Sequence, residues 1–465
     1  ERMVGMTEPQ TQLPENKMGT MPVGKLIFSM SVPMMISMIV QALYNIVDSI
    51  FVSMISEQAL TAVSLAFPLQ SLMIAFSTGI GVGINAHLSR ALGEKNLQRE
   101  NRTAASGLLL ELCFALLFVL TGIFLAVPFF RAQTADPEIF SYGVLYTRIV
   151  CCGSLGIFAE ITFERFLQST GRTTLSMYSQ LSGALFNLVM DPVLIFGLFG
   201  APKLGIAGAA LATVLGQHLS ALVAILLNQS KNPEVKLHAK SFGFYPELLG
   251  HILAVGIPST IMQALSSFMV YAMNRILISF TATATAILGV YFKISSLIFM
   301  PVFGLNNGTV PILAYNYGAG HKRRILRALK ISVLTALGFM TVGLLLFELL
   351  PGLFFRLFHA SANMLSLGIP ALRIIGLCLP FVGFSIATSS AFQALGKGYY
   401  SMLVSICRQL LFLLPTAYLL AKTGVLQNVW WSIVIAEGAG LFVSLFFLLR
   451  SLQKIVAPIP DDHVL

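Results

Sequence analysis

Set against itself with a shift of 225 residues, the chain matches without a gap. Pro33 falls on Pro258, Gly83 on Gly308, Gly93 on Gly318, and Phe129, Phe130 and Arg131 on Phe354, Phe355 and Arg356. The register continues through Ser141, Gly143, Arg148, Gln168 and Gly171, which meet Ser366, Gly368, Arg373, Gln393 and Gly396. One offset held from Pro33 to Gly171 means two copies of one structural unit, and internally repeated apolar halves are a signature of secondary transporters.

Of the 465 residues, 56% are hydrophobic and 10% charged, so water cannot be the solvent for most of this surface. The expected class is an all-α integral membrane protein. A helix needs about 20 apolar residues to cross the hydrocarbon core. Six such stretches precede residue 230 and six follow residue 250, centred on 25–52, 60–87, 104–127, 138–164, 173–197, 206–228, 251–277, 284–312, 328–350, 367–392, 399–421 and 428–449. This predicts twelve transmembrane helices in two pseudo-symmetric lobes of six. The N-terminal lobe covers 1–230 and the C-terminal lobe 251–465. Between them runs a cytoplasmic linker over 231–250, the only long polar stretch away from the termini, carrying Pro233 and Pro246.

The net charge of +10 would suit nucleic acid, but the basic residues fall in alternate loops. Arg90, Lys95, Arg99, Arg102, Arg165, Arg172, Lys231, Lys322, Lys397, Arg450 and Lys454 follow even-numbered spans, whereas the other loops offer only Arg131, Lys203, Arg356 and Lys422. By the positive-inside rule both termini are cytoplasmic, and the partner those charges meet is the lipid bilayer, not nucleic acid. Six spans per half is an even number, so the copies share one orientation and are related by an axis along the membrane normal. The five cysteines all lie inside apolar spans, without zinc-site spacing, and read as packing residues. The first twenty residues lack the apolar core of a removable signal peptide.

Ionisable residues inside a span are costly and mark candidate sites. Asp48 lies late in span 1, within LYNIVDSIFV; Asn187 and Asp191 in span 5 are four apart and share one helix face, and Pro192 frees a backbone carbonyl beside them. Two carboxylates and an amide converging there could hold Na⁺ or share protons, since burial and a like charge both favour the protonated carboxyl. The alternative is that Asp48 and Asp191 only hydrogen-bond neighbouring helices. Pro33 is either a fixed kink or a switchable bend. The second half does not repeat the set: Met273 and Thr416 stand where Asp48 and Asp191 would recur. It carries Lys293, Arg408 and Glu437 instead, read as a buried charge cluster that fixes packing or, less economically, contacts cargo. Glu111, Glu160 and Glu164 lie nearer the cytoplasmic ends and are expected to snorkel to the interface. Met34, Met38, Met177, Met190 and Phe186 could line an adaptable cavity for apolar cations, or simply pack.

No GxxxxGK[ST], HExxH or GxSxG occurs, so neither ATP nor hydrolytic chemistry has support and the chain is not expected to be an enzyme. No cofactor is implied. An ion gradient remains, with H⁺ or Na⁺ as coupling ion, worth about 2.3 kcal/mol per charge per 100 mV of potential.

From about residue 22 to 450 the chain resembles the multidrug and toxic compound extrusion (MATE) transporters, most of all their prokaryotic DinF-like and MepA-like branch. The resemblance rests on ALYNIVDSIFV, SRALGEKN, FLQSTGR, NLVMDPVLIFG, GIAGAALAT and YFKISSLIFMPVFGLNNGTVPILAYNYGA. It implies two six-helix lobes around a central cleft and alternating access. It also implies H⁺- or Na⁺-coupled antiport of amphipathic, often cationic, small organic substrates across the inner (cytoplasmic) membrane by a monomer. Carried over by position, it implies a cation site at Asp48, Asn187, Asp191 and Thr213 with Tyr146 beside it, possible Na⁺ at the first three, and Pro33 as the bending proline of span 1. Between Asp191 and Thr213 this chain is about four residues longer, around Ala201 to Leu204. A dedicated exporter of one biosynthetic product would share these motifs, and a lipid-linked precursor flippase shares the scaffold.

Overall fold

The computed structural model describes residues 15–460, and they are almost entirely helical. Ten unbroken helices are long and apolar enough to cross a membrane, and two further pairs are bent spans, giving the twelve expected. In chain order these are α1 (Val23–Ser53), α2 (Glu57–Gly93), α3 (Leu97–Phe124), α4 (Pro137–Cys152 with Ser154–Ser169), α5 (Thr173–Phe196), α6 (Ile206–Lys231), α7 (Pro246–Leu277), α8 (Ala282–Gly318), α9 (Lys322–Leu349), α10 (Ala362–Gly376 with Leu379–Ala394), α11 (Gly398–Ala421) and α12 (Leu426–Val456).

The repeat seen in the sequence is a repeat of helix boundaries. α8 begins and ends 225 residues after α2, and α9 does so after α3. Short helices, Ala126–Arg131 and Pro351–Leu357, occupy equivalent places before α4 and α10. Those two spans break at equivalent points, by 41° and 45°. The local chemistry repeats too. Ser56 and Thr281 cap α2 and α8 with their side-chain oxygens. Gly171 (φ 85°) and Gly396 (φ 73°) turn the chain out of α4 and α10 in the left-handed conformation that ends helices. Pro33 lies buried inside a continuous α1, as Pro258 lies in α7.

The lobes meet along two seams, α2 on α7 and α1 on α8. Both run at backbone contact because glycine lies on them. A Cβ on Gly83 would strike the Ile252 carbonyl of α7, and one on Gly308 would come within 2.8 Å of Ser31 Cα of α1. Gly83 and Gly308 are a repeat pair, so the seams are copies of one contact. Gly93 and Gly318 close the same end, each against the backbone of the opposing helix. All these residues lie in the half of the bundle nearer Arg90, Lys95, Arg172 and Lys322, here called the basic face. Thr78 Oγ1 donates to Gln263 Oε1 at 3.0 Å across the first seam. A short helix, Lys17–Thr20, lies across both lobes at this face: Asn16 Nδ2 donates to the Thr170 carbonyl, while Asn316 and Arg324 donate to the carbonyls of Met18 and Met21.

Gly83→Leu should wedge the α2/α7 seam open at an overpacking cost of about 1–3 kcal/mol. In a cysteine-free background, a Thr78→Cys/Gln263→Cys pair is expected to cross-link efficiently, and adding Gly83→Leu should cut that yield severalfold. Undiminished cross-linking would show that the glycine contact does not set the seam.

Candidate functional site

Beyond the seams the lobes part around a cavity of about 790 Å³, lined by both. On the first-lobe wall Asp48, Asn187 and Thr213 line the cavity, with Asp191 and Tyr146 buried beside them. Asp48 on α1 and Asp191 on α5 lie close enough for each to feel the other's charge. Asp191 is 1% exposed and Asn187 is buried one turn away. Asn187 Nδ2 donates to Asp191 Oδ1 and to Thr213 Oγ1, both at 3.4 Å; turned over, the amide donates to Asp191 Oδ2 at 3.2 Å and accepts from the Thr213 N–H at 3.1 Å. Thr213 reaches this place because the extra residues before α6 fold back on the end of α5: the N–H groups of Leu204 and Gly205 donate to the carbonyls of Leu194 and Ile195. Tyr146 on α4 is buried beside both carboxylates, its hydroxyl 3.4 Å from Gln70 Oε1. The structure therefore brings Asp48, Asn187, Asp191, Thr213 and Tyr146 together.

Asp48 Oδ1 is buried without a donor to satisfy it. An oxygen-only set of two carboxylates, an amide and a hydroxyl, one oxygen of which lacks a partner, fits a hard monovalent cation such as Na⁺ or a shared proton. It does not fit a soft metal.

Of the candidate cavity residues, Met34 and Met38 line the cleft, whereas Met177, Met190 and Phe186 do not. In the second lobe Arg408 NH1 and Glu437 Oε2 form an ion pair at 3.2 Å on the cavity wall. Lys293 is not part of it. Its side chain is exposed and its ammonium sits 5.7 Å from the Phe358 ring centroid, so the expected three-residue cluster is a two-residue pair. Arg408 is the second residue of a π-helical stretch, Cys407–Leu413, a geometry that recurs where a helix presents side chains to a site.

The snorkelling expected of Glu111 and Glu164 does not occur. They are 1% and 3% exposed, enclosed by α2, α3, α5 and α6 well inside the first lobe. Glu160 and Glu164 line the cavity with Tyr44, Gln41, Arg165 and Gln180. Sequence reading assigned these glutamates to the interface, although the four-residue spacing of Glu160 and Glu164 marked a shared face.

Breaking the Arg408–Glu437 pair from one side leaves a desolvated charge, at about 3–5 kcal/mol for a buried pair and less for one still partly exposed. Glu437→Ala should lower the melting temperature in detergent by several degrees, and the double variant Arg408→Met/Glu437→Leu should recover most of it. A single variant that melts like the parent would show that the pair does not hold the lobe.

A duplicated helical bundle enclosing an acid-walled cavity between its lobes defines a membrane transporter and not an enzyme. The family model for MatE matches twice, at residues 33–193 and 258–419, and the chain belongs to this family, the MATE transporters. It is 24% identical over 425 residues to the multidrug export protein MepA of Staphylococcus haemolyticus (strain JCSC1435), covering 91% of this chain and 93% of that one. It superposes with a TM-score of 0.89 and 26% identity on a solved structure described as the outward-facing conformation of a multidrug resistance MATE family transporter, covering 95% and 99% of the two chains. A MATE structure described as being in the straight conformation matches at 0.86 and 27%, with the same coverage. The protein is thus a multi-pass membrane transporter of the MATE family.

Proposed function

We propose that this chain is a cation-coupled antiporter that exports amphipathic, often cationic, organic compounds by alternating access between its two lobes. The N-terminal lobe would comprise 1–230 and the C-terminal lobe 251–465, joined by the cytoplasmic linker 231–250. The observation that carries the reading is the gathering of a buried Asp191 and Tyr146 behind Asp48, Asn187 and Thr213, the three of the set that line the cavity. An inward-moving H⁺ or Na⁺ taken up there neutralises a desolvated carboxylate pair, and cationic cargo and coupling ion compete for the same charge. That competition is what makes transport obligatory exchange. The basic residues gathered at one face support, by the positive-inside rule, the reading that this face and both termini are cytoplasmic, in the inner membrane of a bacterium. The closed seams at that face then correspond to an outward-facing state, with a monomer sufficient for the cycle.

The prediction concerns proteoliposomes under an imposed H⁺ or Na⁺ gradient. Asp191→Asn removes the titratable ligand and keeps the shape, so it should reduce export of a lipophilic cationic dye to background while size-exclusion behaviour stays unchanged. Export equal to the parent's would remove this site from coupling, and no dye movement by the parent under either gradient would favour a dedicated exporter of one product. Pro33→Ala should slow turnover more than it weakens dye binding if α1 bends during the cycle. Unchanged turnover would make Pro33 a fixed kink.

A further inference from the structure

On α4 the cavity wall carries a second acidic group that the antiport reading does not use. Glu164 is 3% exposed, lines the cavity, and its Oε1 has no hydrogen-bond partner, while its Oε2 accepts from Gln180 Nε2 at 2.6 Å. Glu160, one turn away on the same face, lines the same cavity. Behind them Glu111 of α3 is 1% exposed and its Oε1 is likewise without a partner, its Oε2 accepting from Ser77 Oγ at 3.4 Å. Arg165 lies close to both Glu111 and Glu164 and donates from NH1 to Gln168 Oε1 at 2.7 Å.

Depth separates this group from the outer pair. Glu164 bonds Gln180, eleven residues from Asp191 along α5, or about 16 Å at 1.5 Å per residue, toward the basic face. Tyr44 of α1, one turn from Asp48, lies near Asp48, Asp191 and Glu160 and so stands between the two groups. A further titratable group nearby is His218 of α6, whose Nδ1 is 2.8 Å from the Val214 carbonyl and whose ring packs against Gly156, one turn from Glu160.

We propose that Glu160 and Glu164 form an inner proton-binding site, a relay through which a proton taken up at Asp48 and Asp191 leaves toward the basic face. The inference rests on the antiport reading and narrows its ion to H⁺. A fixed guanidinium beside Glu164 repels a metal cation, but it stabilises a carboxylate that has just given up a proton. The proton leaves a carboxyl of the outer pair, which becomes anionic, and protonates the Glu160 carboxylate. The transfer runs directly or through Tyr44, whose hydroxyl gives one proton as it takes another. It then moves to Glu164 and out, returning each group to its starting state. The orphaned oxygens of Glu164 and Glu111 are the acceptor positions such a path requires.

The test uses the full chain in proteoliposomes with ethidium as probe, measuring export driven by a pH gradient, ethidium/ethidium exchange without a gradient, and ethidium binding. Glu164→Gln should lower gradient-driven export by about a hundredfold, the low end of what a positioned proton-transfer group contributes. Exchange and binding should stay close to the parent's, and Glu164→Asp should restore export. A merely structural carboxylate would move all three readouts together, and that pattern overturns the proposal. So do parental export by Glu164→Gln, loss of ethidium binding in that variant, and export driven by a Na⁺ gradient but indifferent to pH. If Glu164→Gln fails to fold, Glu160→Gln carries the same comparison. Asp191→Asn run in parallel keeps the readings apart: parental export there overturns the outer coupling site and the relay with it, whereas loss there with parental export by Glu164→Gln overturns the relay alone.

Discussion

Everything in this molecule depends on two lobes touching at backbone distance along half their length and standing apart along the other half. In a bilayer no hydrophobic force drives helix against helix, so the contact has to come from close packing. Gly83 and Gly308 supply it, each admitting the backbone of an α-helix from the other lobe. Because the two contacts are copies related by the repeat, neither can open without straining the other. A cavity with one closed end and one wider end follows directly, and so does the need for any working cycle to exchange these contacts as a unit.

On that symmetric frame the chemistry is one-sided. Asp48 and Asp191 occur once, and the positions that repeat them hold Met273 and Thr416. Met273 is buried and lines the cavity, so the second lobe offers a thioether where the first offers a carboxylate. The second lobe's own charges, Arg408 and Glu437, cancel one another in a pair. The cleft therefore has an acidic wall and a nearly neutral, adaptable wall.

The scaffold was legible in the sequence for a simple reason: a membrane forces each crossing to declare itself as an apolar run, and duplication wrote each run twice. Asn187 and Asp191 were legible because four-residue spacing sets two side chains on one helix face. Thr213 and Tyr146 came only through family resemblance, since nothing in the residues says which faces of α4 and α6 meet α5. Glu164 misled because distance along a helix from its polar end is a poor guide to solvent where neighbouring helices cover that end. Lys293 misled in the opposite sense: it lies eleven residues into α8, yet its long side chain reaches the Phe358 ring at the end of a short helix and escapes the core.

The short helix before α1 has a consequence of its own. Its carbonyls at Met18 and Met21 are held by Asn316 and Arg324 from the other lobe, and Met18 is completely enclosed. Parting the lobes at the basic face must break those three hydrogen bonds, on the order of 1 kcal/mol each, and bring the methionine back into water. The segment thus behaves as a clasp, and a chain trimmed at Met21 would spend more of its time open to that side.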